Sequence, residues 1–162
     1  MKSFNLLVEQ LEQIPSIGRK SALKIAYTLA IENKILALNI AHCIESAIQN
    51  VRSCEICGGM SEGKICDICE DSARLYHQSL CIVQNPKDIL TLEEIGVFGG
   101  SYFVISSIKE VDFADIRAKI RTYNKQEIIF AFSPSLSSEA MILYIEDKLS
   151  GENLVFSKIA QG

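Results

Sequence analysis

The chain has 162 residues, 48% of them apolar and 22% charged, enough to bury a core with small additions. No apolar run reaches the roughly 20 residues that cross a bilayer, so a membrane-spanning helix is excluded and a soluble cytoplasmic protein is expected. The net charge of −4 speaks against a nucleic-acid partner, but residues 1–53 are net +2 while residues 54–79 and 80–162 are each net −3, so any DNA contact is expected at the N-terminus.

Ser3 is placed to cap a first helix with apolar positions at Phe4, Leu7, Val8 and Leu11, ending near Ile14 because Pro15 cannot continue it. A turn at Ser16-Ile17-Gly18 follows. Helical spacing returns from Arg19 to Ala30, and Asn33 opens another helix carrying Leu36, Ile40, Ile44 and Ile48. Beyond residue 79 the pattern changes to short apolar runs, 80–83, 102–105, 127–132 and 154–156, suited to buried strands. Helical stretches lie between them, at 89–96, 113–123 and 138–149. Strands alternating with helices predict βαβ crossovers and a mostly parallel sheet covered on both faces, in an α/β domain.

The segment Ile14-Pro15-Ser16-Ile17-Gly18-Arg19-Lys20-Ser21-Ala22 reads as a helical hairpin in which Gly18 supplies a positive φ. The first N–H groups of the second helix are then free to receive a backbone phosphate. Arg19, Lys20 and Lys24 lie near this helix start, where cations oppose the dipole unless an anion is bound. Phosphate contacts of this kind carry no sequence preference. The alternative is a plain helical hairpin with solvated lysines.

Between the helical and strand-rich parts stand Cys54, Cys57, Cys66 and Cys69, as C-x2-C, eight residues, C-x2-C. Turns at Gly58-Gly59 and Gly63 bring the pairs together, which is how structural zinc is held, with no position left open for chemistry. Two disulfides are the alternative. Against them stand the absence of an apolar signal segment and two further cysteines, Cys43 and Cys81, inside apolar runs like core residues. His42 and His77 are set aside as ligands, since four cysteines complete the site.

Taken in order, the hairpin, the four-cysteine module and the βαβ region resemble the RecR family of bacterial recombination mediators, over the whole chain. The resemblance implies a helix-hairpin-helix domain (residues 1–53), a four-cysteine zinc finger (54–79) and a Toprim domain (80–162). It implies a non-enzymatic, DNA-binding ring or clamp built as a homodimer or tetramer. Such proteins act with RecO and RecF in gap repair and recombinase loading. By the family's pattern Lys20 and Lys24 fall on the DNA-contact positions of the hairpin.

Toprim enzymes hold magnesium on a Glu after the first strand and a D-x-D after a later one. This chain has Gln84 at the first place, and Phe132 to Ala140 offers only Glu139 where RecR relatives carry a more acidic stretch. Asp88 remains downstream of the first strand. Asp88 and Glu139 are therefore read as docking residues for RecO and RecF, with helix capping and a favourable helix-dipole position as the plainer alternatives. Tyr102-Phe103 stands where the family has a Tyr-His pair. The chain ends at Gly162, where relatives continue into a strand and helix that swap between subunits, so a closing element is expected to be missing. A metal-dependent Toprim nuclease or primase-like phosphoryl transferase using Asp88 and Glu139 is the competing reading. A protein-only adaptor is a third.

Overall fold

In the computed structural model, which describes residues 1–159, the helical spacing near the N-terminus forms α1 (Lys2–Glu12), α2 (Arg19–Tyr27) and α3 (Lys34–Asn50), with a π-helical turn at Thr28–Glu32. Met1 occupies the cap position of α1, and Ser3 lies within its first turn, because the helix begins at Lys2, two residues before the place a cap at Ser3 would require. Asn33 opens α3 as expected, its side-chain oxygen accepting from the Leu36 amide at 2.9 Å. By its internal packing the chain divides after Asn50, and each unit is described by itself.

In the first unit α1 and α2 bury Val8, Ala22 and Ala26, with Phe4, Leu7, Leu11 and Ile17 packed around them. The two alanines let the helices approach closely, since neither carries more than a methyl group. By contrast, α3 buries no residue within its unit. Cys43, expected in a core by its apolar neighbours, is exposed there.

From Val51 onward two short antiparallel strands, β1 (Arg52–Ser53) and β2 (Met60–Ser61), and two one-turn helices, α4 (Asp67–Glu70) and α5 (Ser72–Leu75), precede the sheet. The sheet strands are β3 (Ser79–Val83), β4 (Ser101–Val104), β5 (Glu127–Ala131) and β6 (Val155–Lys158). All pair in parallel, in the order β4-β3-β5-β6. The connections carry α6 (Pro86–Ile95), α7 (Phe113–Thr122) and α8 (Leu136–Leu149). The successive residues of β3 divide between two cores, as a strand's alternation requires. Leu80 and Ile82 join Ile128, Phe130, Ile116 and Ile145 on one face, while Cys81 and Val83 join Ile89, Tyr102 and Ile68 on the other. Both faces are buried, which explains why these strands read as continuous apolar runs.

Candidate metal centre and nucleic-acid interface

The two C-x2-C pairs fold into loops that the glycines make possible. Gly58 has φ +75°, a backbone state that a residue with a side chain reaches only under strain, and a Cβ there would lie 3.3 Å from that of Val104. The Gly58 amide donates to the Cys54 carbonyl at 2.9 Å, and the Cys54 amide to the Gly59 carbonyl at 2.7 Å. In the second pair Cys66 precedes α4, and its carbonyl accepts from the Cys69 amide at 2.9 Å.

The four Sγ atoms lie within 4.8 Å of one another and all four residues are buried. None is in a disulfide. The Cys57 and Cys66 sulfurs are 3.7 Å apart. A tetrahedron of sulfurs about 2.3 Å from a zinc ion has edges of about 3.8 Å, so the pocket has the size the metal needs. Two backbone amides already point at sulfur, Gly59 N–H at Cys57 Sγ and Cys66 N–H at Cys54 Sγ, both at 3.3 Å. Such donors favour thiolate. By themselves four crowded thiols cannot all ionise. The Cys57 thiol is pulled down to about 5, chiefly by the hydrogen bond from Cys69, while burial pushes Cys66 up to about 11. Cys69 is pushed up by the same bond it donates and by burial. A divalent cation removes this conflict, because it stabilises every thiolate at once.

The metal module is built onto the sheet. The Val104 amide, at the end of edge strand β4, donates to the Cys57 carbonyl at 2.8 Å, and Ile68 of α4 packs into the core beneath β3. Arg74 in α5 reaches Glu93 of α6 through both guanidinium nitrogens, one of them at 2.8 Å. It also donates to the carbonyls of Phe98 and Gly100, at 3.1 and 2.9 Å. Glu93 accepts from the Tyr102 hydroxyl at 2.6 Å. The Arg74 guanidinium beside it holds the Glu93 carboxyl below the usual range, and burial pushes the Tyr102 phenol up. Nothing in the spacing of Arg74, Glu93 and Tyr102 announces this network. The side chains come from two helices and a strand, and only the tertiary fold brings them together.

At the hairpin, the positive φ falls on Ser16 (φ 69°), and Gly18 is extended at φ −84°. This corrects the expected role of Gly18. It precedes α2 with no side chain bonded back to the helix, and the space beside it is open, so the N-terminal amides are left uncapped there. Lys20 and Lys24 are exposed, and among the described residues neither is in an ion pair. Arg19 differs: its guanidinium bonds Glu12 at 2.9 Å, in a pair whose arginine side chain is 65% exposed. Such a pair contributes little and leaves the arginine available.

At the carboxyl ends of β3 and β5 the described residues form no acidic cluster of the kind that the competing nuclease reading needs. Asp88 sits at the third position of α6, where its carboxylate accepts from the Asn85 amide at 3.1 Å while the Asn85 side chain accepts from Lys87. It completes a capping box, the plainer of its two readings. Glu139 accepts from Lys158 Nζ at 2.6 Å. The Gln84 carbonyl oxygen accepts from the Ser138 hydroxyl at 3.4 Å, in a cluster that Ser135 extends. A neutral amide, hydroxyls and two carboxylates already engaged do not fit a magnesium ion, which takes free oxygen ligands in octahedral geometry. The expectation of a missing closing segment concerns residues beyond 159, outside the described part of the chain.

Among the described residues no helix is long and apolar enough to cross a membrane. Comparison with known proteins matches the helix-hairpin-helix model of RecR to residues 4–48 and the four-cysteine zinc finger model of RecR to residues 51–71. The chain is 47% identical over its full length to Recombination protein RecR of Helicobacter pylori strain HPAG1, covering 83% of that protein. It is 46% identical over its full length to Recombination protein RecR of Campylobacter jejuni strain RM1221, covering 85%. The sulfur geometry and the zinc-finger match agree on the metal: the four cysteines hold one structural zinc.

Proposed function

Because the chain belongs to the RecR family, we propose that it acts in recombinational DNA repair as a DNA-binding clamp subunit with no chemistry of its own. The observation that carries this reading is the hairpin, where a helix start that no side chain caps is followed by two exposed lysines in no ion pair among the described residues, Lys20 in the first turn of α2 and Lys24 one turn further on. Arg19 and the backbone following Gly18 complete the phosphate-binding surface. These groups suit phosphate oxygens and read no base edge, so binding is independent of sequence.

The three modules, residues 1–53, 54–79 and 80–162, divide the work. The first meets DNA, the second holds zinc as a structural element, and the third docks partners, RecO and RecF in the family's terms, through the surface bearing Asp88 and Glu139. A docking role suits Asp88 and Glu139 better than catalysis, since one is held in a capping box and the other in an ion pair. Assembly as a homo-oligomer is supported by α3. Ile35, Leu38 and Ile48 are 74%, 71% and 76% exposed within their unit, and apolar surface of that extent is best covered by a partner. A cytoplasmic location fits a site of four zinc-binding thiolates, which a reducing compartment preserves.

The test is salt-dependent binding to duplex DNA. Each phosphate neutralised contributes about 0.9 to the slope of log affinity against log salt. The Lys20→Ala, Lys24→Ala double variant is expected to lower both the affinity and that slope, by nearly two units. Unchanged values would remove the hairpin from the interface. Cleavage of DNA with magnesium that is lost in Asp88→Asn would overturn the non-enzymatic reading.

A further inference from the structure

We propose that Lys125 is the counter-charge of the zinc centre, a residue that supports the metal without ligating it. A zinc ion with four thiolates carries a net charge of −2, and the four cysteines are only 2–8% exposed. Two amide N–H groups offset part of that charge. The module's own cationic side chains are engaged elsewhere or in solvent: Arg74 is spent on Glu93, and Lys64 is exposed.

Lys125 has the complementary problem. It is 6% exposed, the one buried lysine or arginine among the described residues. Its ammonium donates to the carbonyls of Leu75 and His77, each at 2.7 Å, and to the Ser101 hydroxyl at 2.6 Å. All three acceptors are neutral. Among the described residues it is in no ion pair with a carboxylate. A buried ammonium satisfied in hydrogen bonds but not in charge is costly, unless an anionic centre lies nearby.

The anionic centre is Cys69. Lys125 and Cys69 line one small cavity whose exposed wall is almost wholly apolar, with Ile56, Leu75 and Leu80 contributing to it. In such surroundings charges are poorly screened, so attraction persists without direct contact. Lys119 also reaches this cavity, but its ammonium pairs with Asp115 at 2.6 Å and lies over the Phe103 ring. The anchoring follows the chain as well: Leu75 and His77 continue directly from the second cysteine pair through α5, so the same ammonium ties the outgoing end of the zinc module to the start of β4 at Ser101.

The experiment compares the zinc-loaded chain with Lys125→Gln and Ser101→Ala. Ser101→Ala removes one of the same hydrogen bonds and keeps the charge. Two readouts are taken, zinc release to an excess of a chromophoric chelator and the thiolate-to-cobalt charge-transfer bands after cobalt substitution. Lys125→Gln is expected to release zinc at least about tenfold faster and to shift the bands, in the range found for groups supporting metal ligands, while Ser101→Ala stays near the parent chain. Release from Lys125→Gln within about twofold of the parent, or equally fast release from Ser101→Ala, would overturn the proposal. So would a Lys125→Gln chain that stays unfolded in excess zinc, because mass action restores a site weakened in affinity but not a lost structural clamp. DNA binding enters none of these outcomes, so they stand apart from the clamp reading.

Discussion

The carbonyl of the zinc ligand Cys57 accepts a hydrogen bond from the amide of Val104 at 2.8 Å, so the metal module supplies a main-chain partner to the edge strand of the sheet. An unpaired strand edge is a site for unwanted pairing, and the zinc loop covers the end of this one. Metal occupancy and the integrity of β4 are thereby linked.

Replacing Cys66 by serine is expected to abolish stoichiometric zinc and to unfold the module, which depends on a binding free energy on the order of 10 kcal/mol. Hydrogen exchange should report the consequence at a distance: the Val104 amide exchanges faster in Cys66→Ser and in chelator-treated protein. Full protection of that amide without metal would separate the two elements.

Gly58→Ala tests the knuckle more gently. The positive φ of 75° and the contact with Val104 both oppose a methyl group, and the left-handed state alone costs about 1–2 kcal/mol. Urea denaturation of the zinc-loaded variant should show a loss of that size or larger.

Arg74→Met is expected to lower stability by about 1–3 kcal/mol, since it leaves Glu93 and two carbonyls without their donor. The pH dependence follows from the depressed Glu93 carboxyl. A carboxyl whose folded pKa lies below its unfolded one adds stability that is present above the ordinary glutamate range and lost as the pH falls through the folded value. Denaturation midpoints for the parent chain and Arg74→Met should therefore draw closer on acidification below about pH 4, leaving the difference due to the two carbonyl bonds.

In the sheet core, Ile145→Ala should cost about 2–5 kcal/mol, because the side chain is fully buried between α8 and the strands. Leu143→Ala on the same helix is 63% exposed and should change stability by no more than about 0.5 kcal/mol. Thermal unfolding of the pair distinguishes the buried face of α8 from its open one.

Light scattering tests the covering of α3. Leu38→Glu with Ile48→Glu is expected to shift the solution mass toward the monomer at unchanged helicity. A mass equal to that of the parent chain would exclude this helix from the interface.

The strands, the parallel sheet and the cysteine quartet were legible because each rests on a local pattern: continuous apolar runs of strand length, and thiols at fixed short spacing. The errors arose where a local rule admits several residues. Glycine adopts a positive φ freely, which points to Gly18 as the turn residue, yet Ser16 takes that conformation and Gly18 is extended. Cys43 lies in an apolar stretch, but α3 buries no residue in its unit and leaves it exposed.

Taken by itself, the order of residues determined the zinc ligands, the alternation of strand and helix, and the lysines beside the hairpin, since short-range spacing is enough to specify each. Only the tertiary structure decided that Asp88 closes a capping box, that Glu139 pairs with Lys158, and that Lys125 is buried facing the metal module. Lys125 stands between Asn124 and Gln126 as any solvated turn residue would. Its burial comes from the Leu75 and His77 carbonyls and the Ser101 hydroxyl, which lie 24 to 50 residues away in sequence and meet only when the sheet forms.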